Sequence, residues 1–71
     1  MKCNVVGLPG DSTIAQFFAI LGIRGIDPNV PAAVGCDPVP NGDPRVNFCA
    51  STIYAGGAAA IGQLLNNHRC P

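Results

Sequence analysis

Charge is the scarcest commodity in this sequence. Glutamate is absent, and four aspartates (Asp11, Asp27, Asp37 and Asp43) balance Lys2, Arg24, Arg45 and Arg69 to a net charge of zero. A nucleic-acid partner would need a basic patch, and none is present. Aromatic residues make up only 6% of the chain, so its 48% hydrophobic content rests on Ala, Val, Ile and Leu. That composition differs from a disordered chain, which is polar and charged. No apolar run has the uninterrupted length that spans a bilayer. Met1-Lys2 is not followed by the apolar segment of a secretory signal. If the protein is secreted, the chain reads as the mature form, with Met1 an added start residue.

The familiar groupings of catalytic and metal-binding residues are missing too. No CxxC or CxxxC pair occurs, and a Cys/His metal site needs closely spaced ligands, so no metal is expected. His68 is the only histidine and lies two residues from Cys70. A Cys–His nucleophilic pair needs a free, activated thiol. The cysteines here read as bonded, and His68 reads as an exposed residue near the C-terminus. Each aspartate sits beside Gly, Pro, Ser or Cys, where aspartate caps helices and starts turns. Gly56-Gly57 lacks the lysine of a phosphate loop and the spacing of a dinucleotide fold. No catalytic residues and no cofactor are expected, and the chain does not read as an enzyme.

What remains is one domain, residues 1–71. A chain this short buries a modest fraction of its surface and usually needs covalent help. Cys3, Cys36, Cys49 and Cys70 offer that help as two disulfides, and an even count suits an oxidising, secreted setting. Three pairings are open.

The densest apolar stretch is Ser12–Ile26, STIAQFFAILGIRGI. Ile14, Phe17, Phe18 and Leu21 fall at i, i+3, i+4 and i+7, which predicts an amphipathic helix near residues 12–24. Asp11 or Ser12 caps its start, because a short side-chain oxygen satisfies an orphan N–H. Gly22 and Gly25 loosen its end, and Asp27-Pro28 closes it.

Around the helix the pattern is extended. Lys2–Val6 reads as a strand, followed by a Pro9-Gly10 turn. Ala32–Val39 and Val46–Tyr54 read as strands on either side of Asn41-Gly42, the strongest turn signal in the chain. Together they predict a β-hairpin around residues 32–54. A hairpin centred just after Gly42 sets Cys36 opposite Cys49 and leaves Cys3 for Cys70. Pro38, Pro40 and Pro44 remove ladder donors and point instead to an irregular loop. Beyond the glycines, a second helix near 58–67 is expected, with a strand as the alternative. The fold class expected is therefore a small disulfide-stabilised α+β domain.

Several segments together resemble a fungal hydrophobin. Ile20–Val39 reads ILGIRGIDPNVPAAVGCDPV, and its Val34-Gly35-Cys36-Asp37-Pro38-Val39 ending is similar to that family's aliphatic lead into a C-P-I/V element. Cys3-Asn4, Asn47-Phe48-Cys49 and Cys70-Pro71 resemble the family's other single cysteines. The two Cys-Cys doublet positions fall at Gly10-Asp11 and Ala55-Gly56, so the family's pairing of single to doublet does not carry over. The resemblance covers nearly the whole chain.

That resemblance implies a secreted, extracellular structural protein of the fungal cell wall. Such proteins are surface-active and self-assemble into amphipathic films at air–water or lipid-like hydrophobic interfaces and on wall polysaccharide. The apolar patch expected is Ile14, Phe17, Phe18, Ile20, Leu21, Ile23, Ile26, Val39 and Val46, with about half of them buried as ordinary core. Self-association or a homodimer would cover the same faces. The alternative is a small secreted lipid- or partner-binding protein using the apolar helix face.

Overall fold

The computed structural model describes residues 1–40, 42–65 and 69–70. Its elements run β1 (Lys2–Gly7), α1 (Ser12–Ile20), β2 (Ala32–Asp37), β3 (Cys49–Tyr54) and β4 (Ala59–Gln63), with a short 3-10 turn, Ala55–Gly57, joining β3 to β4. The strands form one antiparallel sheet in the order β1-β2-β4-β3. Two disulfides complete a small α+β fold.

Asp11 starts the helix as expected. Its carboxylate accepts from the N–H groups of Thr13 (3.0 Å) and Ile14 (3.3 Å). The end comes earlier than expected, at Ile20 instead of near residue 24. Gly22 takes φ +72°, which a side chain would oppose. This lets Gly22 donate to the Ala19 carbonyl at 3.1 Å and Ile23 to the Phe18 carbonyl at 2.9 Å. The paired bonds satisfy carbonyls the last turn would leave open. Ile23 then folds back onto the cluster that holds Phe18.

The hairpin expected around 32–54 does not form. β4 lies between β2 and β3 and pairs antiparallel with both, so β2 and β3 run parallel. Parallel strands cannot be joined by a tight turn. Residues 38–40 and 42–48 belong to an irregular crossover, in keeping with its three prolines. The expected helix near 58–67 is likewise replaced over Ala59–Gln63 by β4. Asn66 and Asn67, at its end, lie outside the described residues. Gly and Ala give this segment little helical stripe to bury, whereas a strand with tiny side chains fits between two neighbours. Register is continuous from Ala32↔Ile61 to Val34↔Ala59 on one side, and Ser51 bulges between Ala50 and Thr52 on the other.

Two buried clusters lie on opposite faces of the sheet. Ile14 and Phe18 of α1 pack on Ala32, Val34 and Ala59, with Val5, Ile23, Ile26, Tyr54 and Ile61 around them. Cys3, Ala33, Cys36, Phe48 and Ala60 make the other, with Met1, Val6 and Ala50. In the second cluster Cys3 and Val6 are three residues apart, as are Ala33 and Cys36. A regular strand would place such pairs on opposite faces. The change of phase falls at Asn4 and Gly35, where Gly35 has φ +64° and its N–H turns to the Ala58 carbonyl at 3.0 Å. A Cβ on Gly35 would stand 2.6 Å from the Asn4 amide nitrogen.

The two outer strands are then drawn together. Met1, just before β1, donates its N-terminal ammonium to the Phe48 carbonyl at 2.8 Å, and Phe48, just before β3, donates back at 3.2 Å. Beside them the Asn47 side chain acts as one more strand residue. Its Oδ1 accepts from the Cys3 N–H at 2.7 Å, and its Nδ2 donates to the Cys3 carbonyl at 2.8 Å. The sheet thus curls round Phe48, which is fully buried.

Asn47→Ala removes both bonds and leaves two main-chain groups at least partly out of water, a loss of about 2 kcal/mol. We expect a melting temperature lower by roughly 10 °C in a domain of this size. Asn47→Asp is expected to lose stability at neutral pH, because a carboxylate cannot donate to the Cys3 carbonyl, and to recover part of it as the pH falls and the carboxyl gains a proton. Thermal unfolding followed by circular dichroism checks both. A third variant tests the β3–β4 turn, where Ala55 sits at φ +51°. The left-handed region costs a non-glycine residue about 1 kcal/mol, so Ala55→Gly should raise stability by about 0.5–1 kcal/mol in denaturant titration.

Candidate functional site

The helix that the sequence singles out has two apolar sides. Ile14 and Phe18, one turn apart, point into the sheet and are buried. Phe18 meets the Tyr54 ring edge-on, with centroids 6.3 Å apart. Phe17, Ile20 and Leu21 occupy the adjoining flank at i, i+3 and i+4, where side chains are neighbours. They are 46%, 80% and 37% exposed. The helix therefore carries a single apolar band that begins in the core and runs out into solvent. No ionisable residue occurs from Ser12 to Ile23, so nothing charged interrupts it.

Of the nine residues expected to form the patch, the structure brings three together there: Phe17, Ile20 and Leu21. Ile14, Phe18 and Val46 are corrections, because each is buried and has no surface to offer. The first two face the sheet, and Val46 is tucked in where its N–H donates to the Asp43 carbonyl at 3.0 Å. Ile23, Ile26 and Val39 are half-buried; the first two pack against the cluster beneath α1. Three exposed apolar side chains were outside the expected set: Leu8, Ile53 and Leu64. Leu8 had a signal in the sequence, since a large side chain ahead of Pro9-Gly10 sits on a turn and turns lie at the surface.

The cysteine pairing also differs from the expected one. Cys3 bonds Cys36 and Cys49 bonds Cys70, in place of Cys36–Cys49 and Cys3–Cys70. Cys3 and Cys36 face each other directly across β1 and β2, with Cα atoms 3.9 Å apart. With β4 between β2 and β3, Cys36 and Cys49 are not on neighbouring strands. Cys3–Cys36 closes a separation of 33 residues, and both ends lie inside the curled sheet; the strands it joins are the ones α1 packs against. Cys49–Cys70 closes 21 residues and borders an open cleft of about 550 Å³ with Asn29, Pro31, Ser51 and Gln63.

Three aspartates serve the backbone, as their sequence neighbours suggest. Besides Asp11, the Asp27 carboxylate accepts from Asn29 at 2.9 Å and that of Asp43 from Arg45 at 2.8 Å. Hydrogen bonds from the Arg45 side chain, then from its main-chain N–H, hold the half-buried Asp43 carboxyl below its ordinary 3.8. The pair is therefore intact above the ordinary carboxylate range and is lost as pH falls through that lowered value. His68 lies outside the described residues.

No protein-family profile, no curated protein and no solved structure matches this chain.

In the chain-entropy account, loops of these lengths stabilise the fold by about 3–4 kcal/mol each. Their sum rivals the whole stability of a small domain, which is typically about 5–15 kcal/mol. Reduction of both disulfides should therefore unfold the chain at 25 °C. Loss of the far-ultraviolet strand signal on adding a dithiol, and its return on reoxidation, is the expected outcome.

Proposed function

We propose that this protein is a secreted, surface-active structural protein of hydrophobin type, which self-assembles into an amphipathic film at hydrophobic–hydrophilic boundaries such as a fungal wall. The observation that carries this reading is the open apolar flank of Phe17, Ile20 and Leu21 on an uncharged helix. A soluble protein ordinarily keeps such a band for contact with something else. Fully burying a side chain of this kind gains about 1.5–3 kcal/mol. Scaled by their present exposure, the three together offer about 3–4 kcal/mol on leaving water, several times thermal energy.

The staples support the same reading. An exposed apolar band invites a chain to collapse around it. Here β1 and β2, which seat α1, are joined covalently by Cys3–Cys36. Two disulfides suit an oxidising, extracellular setting. A net charge of zero leaves little repulsion between neighbouring copies in a film. The hydrophobin-like order of single cysteines also favours this reading. Use of the same flank to hold a lipid or a partner protein is the second reading. The open geometry favours the first, because the flank lines no enclosed cavity among those described; the 550 Å³ cleft is lined by other residues.

The test is the surface tension of a water droplet against protein concentration. The native chain should lower it steeply at low concentration and leave a film that resists compression. Ile20→Lys should shift that curve to at least tenfold higher concentration while leaving the melting temperature within about 2 °C, since Ile20 is 80% exposed. Adding Phe17→Ser should shift it further and lower the melting temperature by roughly 5 °C, because the buried half of that ring contributes about 1 kcal/mol. A native curve equal to that of an ordinary small globular protein would overturn the reading.

A further inference from the structure

The disulfides divide the chain into two closed halves. Cys3–Cys36 lies wholly within β1, α1 and β2, and Cys49–Cys70 closes the part that holds β3 and β4. All four cysteines are used, so no covalent bond crosses between the halves except the backbone of residues 37–48. α1 packs on β1 and β2 in its own half, and its Ile14 and Phe18 also reach Ala59 and Tyr54 in the other. Every contact from one half to the other is non-covalent.

Hydrogen bonds between the halves form two seams, and both buried clusters pack across them: Ile14 and Phe18 on Tyr54, Ala59 and Ile61, and Cys3, Ala33 and Cys36 on Phe48 and Ala60. At the first, β2 meets β4 over three residue pairs, Ala32↔Ile61, Ala33↔Ala60 and Val34↔Ala59, extended by Gly35 N–H to the Ala58 carbonyl and Gly62 N–H to the Pro31 carbonyl, each at 3.0 Å. The ladders inside each half run to five pairs. At the second, Asn47 and Phe48 bond Met1 and Cys3. The peptide between the halves is mostly exposed at Asp37, Pro38, Pro40, Gly42, Pro44 and Arg45. It is tied within itself by the Asp43–Arg45 turn and by bonds from the Asp43 N–H to the Pro40 carbonyl and from the Val46 N–H to the Asp43 carbonyl, each at 3.0 Å. Proline-rich peptide favours extended backbone. Eight residues, 38–45, span up to about 26–29 Å when extended. The molecule is 22 Å across its middle dimension. Once the seams part, the linker is long enough to carry the second half clear of the first.

We infer that a second copy of this chain is a partner through exchange of the C-terminal half: β4 of each copy pairs with β2 of the other, and Asn47 and Phe48 with the other's Met1 and Cys3. In the exchanged pair both seams reform with their native partners, and both disulfides stay inside their own chains. No thiol chemistry is needed. The uncharged run from Phe48 to Gln63 meets no like charge on its twin. The exchange is a two-fold, self-complementary association, the commonest kind among oligomers. The inference stands apart from surface activity, since a chain can exchange halves in bulk solution without lowering surface tension.

The experiment holds the native, oxidised chain at millimolar concentration in moderate urea without reductant, then dilutes it into buffer. Light scattering behind a sizing column should show a species of twice the monomer mass that persists on dilution, because return to monomer requires both seams to open. On a non-reducing denaturing gel that species should run as monomer. In dimers grown from equal amounts of ¹³C-labelled and unlabelled chain, isotope-filtered NOEs should join β2 of one chain to β4 of the other. Ile20→Lys should leave the dimer yield unchanged. Monomer alone at every concentration would overturn the inference. So would a dimer held by intermolecular disulfides, or one whose interchain NOEs join α1 of one copy to α1 of the other, since in the exchanged pair α1 meets only Tyr54, Ala59 and Ile61 across chains. Each of these results leaves the droplet measurement to stand or fall by itself.

Discussion

The fold depends on one side chain standing in for a strand. β1 and β3 end the sheet on either side, and an unpaired strand edge is exposed to pairing with any other chain. At the Cys3 position this molecule meets the problem with the Asn47 amide, a donor and an acceptor in one plane, as in a peptide group. The Met1–Phe48 bonds continue the same join. The curl they produce leaves little room inside. Ala33, Ala50 and Ala60 fill strand positions there, the Cys3–Cys36 bridge takes its share, and Phe48 is the one large side chain of that cluster completely enclosed. Small residues in the strands and one aromatic ring from the crossover form a single solution to a packing problem.

Local features are legible in the sequence, and non-local ones are not. Asp11 before an apolar periodic run, and Asp27 and Asp43 before prolines, identify their own roles because each bonds a backbone group two or three residues away. The strands at 2–6 and 32–39 are legible from composition. The order of strands is not. Asn41-Gly42 suggests that the strands on either side are neighbours, but three prolines nearby make that segment a crossover. β4 has no alternation of large and small side chains to mark it: AAIGQ is as poor a strand signal as a helix signal. Its insertion between β2 and β3 decides the cysteine pairing, so that pairing is out of reach for the same reason.

The candidate surface divides along the same line. The helical spacing of Ile14, Phe17, Phe18 and Leu21 is visible in the sequence, but it does not say which side of the band meets the sheet. That depends on where α1 lands on Val34, Ala32 and Ala59, which are far away in sequence. Once it lands, Ile14 and Phe18 are core, and Ile20, outside the original spacing, becomes the most exposed large side chain of the group. Early termination at Gly22 matters equally. It returns Ile23 to the core and leaves Leu21 at the rim.

An uncharged helix also lacks any group that answers to its surroundings. From Ser12 to Ile23 no side chain titrates, so acid or alkali does not switch this part of the surface between states. Salt has no charge there to screen. Its main responses are to temperature and to solutes that change the cohesion of water, the levers that act on apolar hydration. The flank is in that sense a constant of the molecule, presenting the same face in rainwater, soil or brine.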